Sequence, residues 1–381
     1  MTQDSTYRSS DAAHPLRVLL VDLAKGYGGP ESRVLSLASA LQDSVERCAV
    51  AVTSGSPLHQ RLLSDGIPCE PVSAGRSNPH LVLELSRIVR RGRYHVVDAH
   101  NIQSIFWGHL AALLGGARGR VTTVHSDYGQ EYSGVRRAFY PAVFRLLRPV
   151  TRHFVQVTEP LQEIAELKGD GSRSTLIHNS VAVAEHPPSG KDLALVAEWG
   201  WAPSDFLVAV VGRLFEVKGQ AYLVDAIAEL RDLPHIKLVV VGDGPQLGEL
   251  RGRVASLGVD ERVRFLGFRS DVPRLLGSVD CVCLPSLWEL LPYAALEAAA
   301  QALPIVATAV GGVPHLLKDQ ETALLVPPAN AAALAAGIRT LAEDPDGARR
   351  LGQAAYEMVR ASFGIEKMLA ETLKVYRRAL A

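Results

Sequence analysis

Two glutamates stand eight positions apart, across a change of structure, in the stretch PSLWELLPYAALEAAAQALPIVATAVGGVP, residues 285–314. The run PYAALEAAAQA is rich in good helix formers. Pro292 fits the first helical position, where its missing N–H has no partner to lose. Glu289 is then expected in the loop at the mouth of the helix. Glu297 is expected in the second turn, about 7 Å further along the axis.

The mouth of this helix has the chemistry of an anion site. The amides of Leu290 and Leu291 lie there, and free amides at a helix start favour a negative charge. A nucleotide diphosphate bound at this point would have one carboxylate on each side. Each carboxylate could accept hydrogen bonds from the hydroxyls of a sugar. The alternative is an amphipathic helix that carries two solvated glutamates.

Two cations follow another apolar run in VVGRLFEVKGQ, as Arg213 and Lys218. A guanidinium fork and an ammonium point charge can stabilise the negative charge of a bound anion in a sheltered cleft. A surface arginine and a lysine at a helix start are the structural alternative, but a lysine there opposes the helix dipole, which favours a binding role.

The elements that must position these residues alternate along almost the whole chain. Continuous apolar runs with helical patterns between them are typical of parallel sheets covered on both faces. Six runs predict the strands of a first domain: LRVLLVDL, ERCAVAVTSG, HVVDAHN, RVTTVHS, HFVQVTEP and STLIHNS. Six more predict those of a second domain: FLVAVVGRL, IKLVVVGDG, RVRFLGF, VDCVCLPS, PIVATAV and ALLVPP. Ligands of such sheets bind beyond the carboxyl ends of the strands, where the candidate residues fall.

The long stretch resembles the E-x7-E signature of the retaining glycosyltransferases of family GT4, in the form E-G-L-P-x-x-x-x-E-A-x-A-x-G-x-P-V-V-A-T-x-x-G-G-x-P-E. VVGRLFEVKGQ resembles the G-R-L-x-x-x-K-G segment of that family. The resemblance covers nearly all of the chain and is tightest from Val211 to Pro328. It implies an α/β fold of the glycosyltransferase B (GT-B) type, with two Rossmann-like domains whose parallel sheets face a central cleft.

The same resemblance assigns roles to the four charged residues. Glu289 would face the donor sugar and Glu297 the nucleotide ribose, while Arg213 and Lys218 would contact the diphosphate. The family activity implied is transfer of a sugar from a nucleotide donor to an acceptor hydroxyl with the anomeric configuration kept. The mechanism implied is a same-face one, in which the leaving phosphate receives the acceptor's proton.

Two glycine loops complete the predicted donor site. Gly28 and Gly29, in AKGYGGPESRV, allow the backbone to come close to a ligand. Their loop looks like the family's G-G-x-E turn, near the donor phosphates and the acceptor. VVVGDGPQLGEL contains Gly242 in the spacing G-x-G-x-x-x-G, a poor match to a dinucleotide-binding fingerprint. By resemblance it is a loop near the nucleotide, with backbone contacts to the base around Phe268. Ordinary turns are the alternative.

Three further residues at strand ends are candidates. His125, at the end of RVTTVHS, corresponds to the family's histidine that faces the donor sugar across the cleft. His100 in DAHN is a second candidate. Asn179 in LIHNS matches the family's asparagine at the domain junction, with a capping or turn role as the alternative.

The chain departs from the family pattern at three positions. Leu290 stands where the family usually has glycine, Ala302 replaces the glycine before the Leu-Pro pair, and His315 takes the place of the glutamate in G-G-x-P-E. The leucine could restrict the approach of the backbone to the diphosphate, and the histidine removes an acidic partner. None of these changes alters the four charged residues, so a catalytic protein stays the preferred interpretation.

No cofactor and no metal are expected. Metal-dependent transferases usually have an Asp-x-Asp at a strand end, and the one such triplet here, Asp344–Asp346, is typical of a turn and helix cap. Cys281 and Cys283 share a face of an apparent strand, and no second Cys/His pair has zinc-site spacing, so buried apolar side chains are predicted.

Composition limits the partners. The chain has 381 residues, 48% of them apolar, with 40 Lys plus Arg against 40 Asp plus Glu, so it lacks the overall basic field of nucleic-acid binders. The polar residues 1–14 suggest a flexible tail without the apolar core of a signal peptide. Without an apolar run long enough to span a bilayer, a cytoplasmic protein is expected. Its expected partners are a nucleotide-sugar donor and a saccharide or lipid-linked acceptor.

One region is nevertheless strongly basic. Between Arg76 and Arg152 there are twelve arginines and four acids. The segment YSGVRRAFYPAVFRLLRPVTRH predicts an amphipathic helix that Pro141 kinks or starts. Its predicted apolar positions are Val135, Phe139, Ala142, Val143, Leu146 and Leu147, and its predicted cationic positions are Arg137, Arg145, Arg148 and Arg152. Peripheral contact with anionic lipid at the inner face of the membrane and an ordinary solvated helix are equally compatible with this pattern.

The interruption VAVAEHPPSGKD predicts a domain boundary near residue 187. We expect an acceptor-side domain over 15–187, a nucleotide-sugar-binding domain over 188–363, and a helix over 364–381 that crosses back to the first domain, the last by resemblance. Two other functions stay open: a sugar-nucleotide epimerase on the same architecture, and a non-catalytic sugar-nucleotide binder. Donor hydrolysis in the absence of acceptor would separate both from a transferase.

Overall fold

The computed structural model describes residues 16–75, 78–125, 135–159, 161, 171–187 and 190–381, with side chains in the helix Val135–Leu147 from residue 141 onward. In these residues the chain forms two parallel β-sheets with helices packed against them. The predicted α/β class with two parallel sheets is therefore confirmed. The predicted tail, residues 1–14, lies outside the described residues.

The first sheet has seven parallel strands in the order β3-β2-β1-β4-β5-β6-β7. The strands are β1 (Arg17–Asp22), β2 (Arg47–Thr53), β3 (Cys69–Val72), β4 (Val96–Ala99), β5 (Gly119–Val124), β6 (His153–Gln156) and β7 (Ser174–Leu176). The helices are α1 (Gly29–Leu41), α2 (Pro57–Ser64), α3 (His80–Gly92), α4 (Ile102–Gly115) and α5 (Val135–Leu147). Alternating side chains of β1 supply both faces: Val18 and Leu20 pack in one core, Leu19 and Val21 in the other.

The sequence patterns missed one strand, β3. Its four residues, CEPV, form the edge of the first sheet and pair only with β2 in the described part of the chain. Pro71 lacks the N–H that a central strand would use, and an edge strand tolerates this. A short strand with a proline at its centre has neither the length nor the apolar run of the others.

The second sheet has six parallel strands in the order β10-β9-β8-β11-β12-β13, and all six predicted strands are present. They are β8 (Phe206–Val211), β9 (Ile236–Val241), β10 (Val263–Gly267), β11 (Cys281–Leu284), β12 (Ile305–Thr308) and β13 (Leu324–Val326). The helices are α6 (Leu193–Glu198), α7 (Gln220–Glu229), α8 (Leu247–Leu257), α9 (Val272–Leu276), α10 (Tyr293–Ala300), α11 (Val313–Leu316), α12 (Ala331–Glu343) and α13 (Pro345–Ser362). Cys281 and Cys283 are buried on one face of β11, as predicted.

The chain passes twice between the two sheets. Val181 and Gly364 form a parallel bridge, and the Val181 N–H donates to the Phe363 carbonyl at 3.1 Å. After the second passage, α14 (Ile365–Leu380) packs in the core of the first sheet with Met368, Val375 and Tyr376. The limits of the predicted domains stay a prediction.

In the described part of the chain, no helix combines the length and apolar content that crossing a bilayer requires.

The arginine-rich helix α5 packs on a different face from the predicted one. Val143, Phe144 and Leu147 are buried in a cluster of the first sheet, while Leu146 is 68% exposed and Ala142 is exposed. The prediction was therefore wrong for Leu146 and Ala142, and it missed Phe144, because contact with Phe154 turns the helix about its axis. Pro141 lies inside the helix, and the side chains of Val135, Arg137 and Phe139 lie outside the described residues.

Ala302, one of the departures from the family pattern, occupies a left-handed backbone position with φ of 53°. It follows α10 in a Schellman turn: the Ala302 N–H donates to Ala299 at 2.9 Å, and the Leu303 N–H donates to Ala298 at 3.0 Å. Helix α13 packs directly on this turn, because a Cβ on Gly352 would lie 2.1 Å from the Ala302 carbonyl oxygen. A side chain in this backbone region is strained, and glycine is the usual residue there.

We expect Ala302→Gly to raise the free energy of unfolding by about 0.5–1 kcal/mol. Relief of the left-handed strain gives roughly 1–2 kcal/mol, and the added freedom of the unfolded chain subtracts about 0.4–1 kcal/mol. The measurement is a urea titration at constant pH. Ala336→Gly, at an exposed position inside α12, is the matched control and should lose about 1 kcal/mol instead. An Ala302→Gly protein no more stable than the wild type would contradict the strain.

Candidate functional site

Glu289 lies in the loop between β11 and α10 and is 8% exposed. Lys218 Nζ donates to its Oε1 at 2.6 Å, and Ser286 Oγ donates to the same oxygen at 2.8 Å. Lys218 ends the short turn that follows β8, and β8 is the neighbour of β11 in the sheet. Parallel pairing therefore brings the two predicted charged residues together at the carboxyl edge.

The Glu289 loop is fixed by the two glycines of the GGVP segment. The Gly312 N–H donates to the Glu289 carbonyl at 2.9 Å. A Cβ on Gly312 would lie 1.7 Å from the Leu290 carbonyl oxygen, and one on Gly311 would lie 1.9 Å from that of Glu289. A larger residue at either place would push the loop out of position, so these glycines orient the Glu289 carboxylate.

Helix α10 begins one residue later than predicted. Pro292 is its N-cap, with an extended ψ of 121°, and Tyr293 is the first helical residue. In the described structure the amides of Leu290 and Leu291 donate no hydrogen bond. They remain available near the positive end of the helix, and their predicted contact with an anion stays a prediction.

Glu297 is the fifth residue of α10, one turn beyond the mouth. Burial raises the pKa of its carboxyl to about 7. No hydrogen bond or ion pair joins it to any other residue that the structure describes. A half-buried carboxylate without a partner has unused acceptor capacity, which is what a contact with ribose hydroxyls requires.

Arg213 faces the first domain across the cleft. A Cβ on Gly28 would lie 3.7 Å from Arg213 Nε and 3.5 Å from Glu31 Oε2, so the glycine loop, the arginine and the buried Glu31 meet here. Burial raises the pKa of Glu31, and the Arg213 charge partly offsets this shift. Arg213 also lies over the Phe215 ring, 5.2 Å from its centroid, and makes no ion pair in the part of the chain described.

The starts of two helices converge beside Arg213. Helix α1 begins at Gly29, where an added Cβ would lie 3.2 Å from the ring of Tyr293, the first residue of α10. The positive ends of both helix dipoles therefore point into the same part of the cleft. Together with Arg213 and Lys218 they concentrate positive potential in this part of the cleft.

The outer end of the cleft is closed by contacts between the domains. The Phe268 ring is 60% exposed and makes an edge-to-face contact with the Tyr27 ring, with centroids 6.2 Å apart. Nearby, an Arg61 guanidinium N–H donates to the Ser270 carbonyl at 3.2 Å. Phe268 thus presents an open aromatic face at the predicted base position, and its contact with a base stays a prediction.

Gly242 occupies a position that requires glycine for steric reasons. Its φ is 131°, and a Cβ there would lie 1.9 Å from the Gly212 carbonyl oxygen. The loops after β8 and β9 can approach this closely only with glycine. The role of Gly242 in binding a nucleotide stays a prediction.

His125 and His100 form a pair at the ends of the adjacent strands β5 and β4. His100 Nδ1 lies 3.1 Å from His125 Nε2. Burial lowers the pKa of His100 to about 4, and burial lowers the pKa of His125 well below its ordinary value. Both imidazoles are therefore neutral at pH 7, and His125 reaches the cleft with 8% of its surface exposed.

The structure also shows where Leu290 and His315, the other two departures from the family pattern, and Asn179 lie. The Leu290 side chain is 8% exposed and turns toward the first sheet, where it packs with Ile102 and Ile105 rather than over the open helix mouth. His315 is exposed on α11. Asn179 is buried, and its Oδ1 accepts a hydrogen bond from Arg33 at 3.4 Å; its role at a domain junction stays a prediction.

Sequence patterns did not single out three buried residues that lie behind the cleft. Ser286 orients Glu289; Arg33, fully buried, donates to the His178 carbonyl at 2.6 Å; Asp98 lies beneath the histidine pair. Only Asp98 carried a usable signal, since it lies two positions before His100 on a strand and shares its face. A serine in a loop and an arginine in a helix are too common to indicate such a role.

The Asp-x-Asp triplet serves as the predicted cap: Asp344 Oδ1 accepts from the Gly347 N–H at 2.9 Å at the start of α13. Among the described residues no three His, Cys, Asp or Glu side chains are grouped as metal ligands would be. Metal independence stays a prediction.

Two family models match the chain. Residues 27–185 match the model of Glycosyltransferase Family 4, and residues 194–358 match that of Glycosyl transferases group 1. The two matches lie on either side of the predicted boundary.

Curated relatives are similar over much of this length. The UDP-Gal:alpha-D-GlcNAc-diphosphoundecaprenol alpha-1,3-galactosyltransferase of Escherichia coli is 28% identical over 256 residues, 64% of this chain and 65% of that protein. The chain thus spans just under two thirds of that relative. The alpha-maltose-1-phosphate synthase of Mycolicibacterium smegmatis is 30% identical over 317 residues, 75% of this chain and 79% of that protein.

Solved structures share the architecture. Anabaena Alr3699/HepE in complex with UDP and glucose superposes with a TM-score of 0.82 at 22% identity, over 94% of this chain and 99% of that one. This likeness confirms the predicted GT-B fold. With both halves matched by glycosyltransferase models and a relative 30% identical over most of its length, the chain belongs to the GT4 family of glycosyltransferases.

Proposed function

We propose that the protein is a retaining glycosyltransferase that moves a hexosyl or N-acetylhexosaminyl group from a UDP- or GDP-sugar to an acceptor hydroxyl. The observation that carries this proposal is the convergence of Lys218, Arg213 and the starts of α1 and α10 beside Glu289. Four sources of positive potential meet in one cleft, and two carboxylates with unused acceptor atoms lie next to them. A nucleotide diphosphate linked to a sugar fits both halves of this arrangement.

The two oxygens of the Glu289 carboxylate have different hydrogen-bond partners. Its Oε1 accepts from Lys218 and Ser286, and its Oε2 accepts no hydrogen bond from the residues described. Oε2 is therefore the atom offered to a hydroxyl of the donor sugar. When the diphosphate binds, Lys218 Nζ still has ammonium protons for a phosphate oxygen, so one lysine serves both groups.

In the reaction, the bond between the anomeric carbon and the phosphate oxygen breaks, and its electron pair goes to the phosphate. Arg213, Lys218 and the two helix starts stabilise that charge. The acceptor oxygen bonds to the anomeric carbon on the same face, and its proton goes to the departing phosphate oxygen. Retention follows because the acceptor enters on the side that the phosphate leaves.

For the acceptor, we propose a glycolipid, a lipid-linked saccharide or a cell-surface polysaccharide precursor. The name of the Escherichia coli relative describes transfer to a diphosphoundecaprenol-linked sugar, which supports this class. A thermal-shift screen with UDP, GDP and ADP identifies the base. A transfer assay with the matching donor then tests the reaction, and donor turnover that yields only an altered nucleotide sugar would favour an epimerase.

We expect Lys218→Ala and Glu297→Ala each to lower turnover by about 10- to 100-fold, since each removes a charge-assisted contact worth roughly 1.5–3 kcal/mol. Initial rates and donor binding are the measurements. Lys191→Ala is the matched control, because Lys191 Nζ also pairs with a carboxylate, Asp280, at 2.6 Å, at the opposite end of the same sheet. Normal kinetics in folded Lys218→Ala or Glu297→Ala protein would remove the site assignment.

Glu297 should make stability depend on pH. Its pKa of about 7 in the folded protein lies above the ordinary 4.5, so between these values the folded chain holds a proton that the unfolded chain has lost. Stability therefore falls as pH rises through this window. Relative to wild type, Glu297→Gln should gain on the order of 2 kcal/mol between pH 4.5 and pH 8. Denaturant titrations at both pH values measure this, and the exposed Glu321→Gln serves as control.

We propose metal independence, because the cations of the cleft would supply the charge that a metal would bring to the diphosphate. We expect transfer to persist in excess EDTA. The measurement is the initial rate in EDTA, with and without added magnesium or manganese. Loss of activity in EDTA that either metal restores would show that the protein cations are insufficient.

Membrane docking through α5 is the remaining expectation. Exposed Leu146 beside Arg145 gives this helix both an apolar and a cationic contact for an anionic surface. Co-sedimentation with anionic vesicles should weaken at high salt. The triple change of Arg137, Arg145 and Arg148 to Gln should abolish it, because each arginine contributes about 1 kcal/mol of binding free energy. The same change at Arg349, Arg350 and Arg360 on α13 is the control. A wild-type protein that ignores anionic vesicles at low salt would favour a soluble acceptor.

A further inference from the structure

A chain of buried polar side chains runs from the last helix to the cleft. Tyr376 OH, on α14, donates to Asp98 Oδ2 at 2.8 Å, and Thr123 Oγ1 donates to Asp98 Oδ1 at 2.8 Å. His100 Nε2 lies 3.6 Å from Asp98 Oδ2, and His100 Nδ1 lies 3.1 Å from His125 Nε2. Only His125, at the end of this chain, reaches the cleft.

The hydrogen-bond partners along this chain determine which ring nitrogen of each histidine carries the proton. Tyr376 and Thr123 both give their hydroxyl protons to Asp98, so the Asp98 carboxylate acts only as an acceptor. A ring nitrogen that faces this carboxylate is stable with its proton and unfavourable as a bare lone pair, so His100 carries its proton on Nε2. A neutral His100 then has a lone pair on Nδ1, and that nitrogen must accept from His125 Nε2–H.

We propose that Asp98 and Tyr376 are positioning residues, which fix the tautomer of the histidine pair so that His125 presents an unprotonated Nδ1 to the cleft. His125 Nδ1 has no hydrogen-bond partner among the residues described. It is therefore an acceptor, and the group that it recognises must be a hydrogen-bond donor.

Burial is the main reason that both rings stay neutral, as this arrangement needs. The buried Arg33 guanidinium lowers the pKa of both histidines further, whereas the Asp98 carboxylate raises that of His100 without outweighing burial. Among the described residues, Asp98 is the carboxylate beside the pair, and a protonated histidine would have to share it with the charge of Arg33. The pair therefore works by hydrogen bonding and does not act as an acid at neutral pH.

The ligand group follows from this polarity. A phosphate oxygen or a sugar ring oxygen can only accept, so neither fits His125 Nδ1. A sugar hydroxyl can donate to it, and this identification of the ligand rests on the proposed function. It also gives the return of the last helix a role at the site, because Tyr376 is the residue of α14 that holds Asp98.

The tautomer can be read without any substrate. Protein with histidine labelled with 15N, observed by long-range proton–nitrogen correlation at pH 7, shows which ring nitrogen carries the proton. His125→Asn identifies the His125 signals. We expect His125 to be protonated on Nε2 alone. A proton on Nδ1, or on both nitrogens, overturns the proposal whatever the activity of the protein.

Two variants then test the cause. Asp98→Asn keeps the shape but can turn an amide donor toward His100, which should reverse the tautomer and lower kcat/KM by about tenfold or more. Tyr376→Phe keeps the ring packing and removes one donor, so it should give a mixture of tautomers and a loss of about two- to fivefold. An unchanged His125 spectrum in folded Asp98→Asn or in Tyr376→Phe protein would show that these residues are merely structural.

Tyr356→Phe is the matched control. Tyr356 is also buried on a helix and its OH donates at 2.7 Å, but to the carbonyls of Ala184 and Glu185, away from the histidines. It should leave both the His125 spectrum and kcat/KM unchanged. If wild-type protein shows the expected tautomer but transfers no sugar, the proposed function fails while the assignment of the positioning residues stands.

Discussion

The ion pair between Lys218 and Glu289 reduces the repulsion among the positive groups that line this cleft. Two helix starts and two basic side chains converge there, and without a counter-charge they would repel one another. Glu289 beside Lys218 and Glu31 beside Arg213 supply that charge from within the protein. Because these carboxylates hold the cations in place, the positive groups of the cleft are already positioned before any anion binds.

Glycines make this convergence sterically possible. The loops that carry Arg213 and Glu289 approach their neighbours so closely that Cβ atoms at Gly242, Gly311 and Gly312 would collide with backbone oxygens. These contacts lie behind the cleft rather than in it. The glycines therefore have two separate roles. Gly28 and Gly29 leave space in front of the cations, while Gly242, Gly311 and Gly312 allow close packing of the loops that carry Arg213 and Glu289.

Much of the fold and of the second-domain site could be predicted from the sequence, because its determinants are local. Long apolar strands, a helix start and the spacing of Arg213, Lys218, Glu289 and Glu297 are all readable along the chain. Strand β3 was missed because Pro71 at an edge breaks the apolar pattern, and the face of α5 was misassigned because Phe154, distant in sequence, decides it. Arg33 and Tyr376 act through partners 146 and 278 positions away, which no local pattern reveals.

The three departures from the family pattern are accommodated in different ways, and the differences follow from their surroundings. Ala302 keeps the turn that a glycine would make and is strained by it, since its partners in the Schellman turn stay in place. His315 lies in solvent, where the loss of an acidic side chain is of little consequence to packing. Leu290 is the only one of the three that reaches the cleft, and it adds an apolar contact with the first sheet directly beside Glu289. Since that contact joins the domains next to the candidate site, burial of the leucine stabilises the packing of the Glu289 loop against the first sheet.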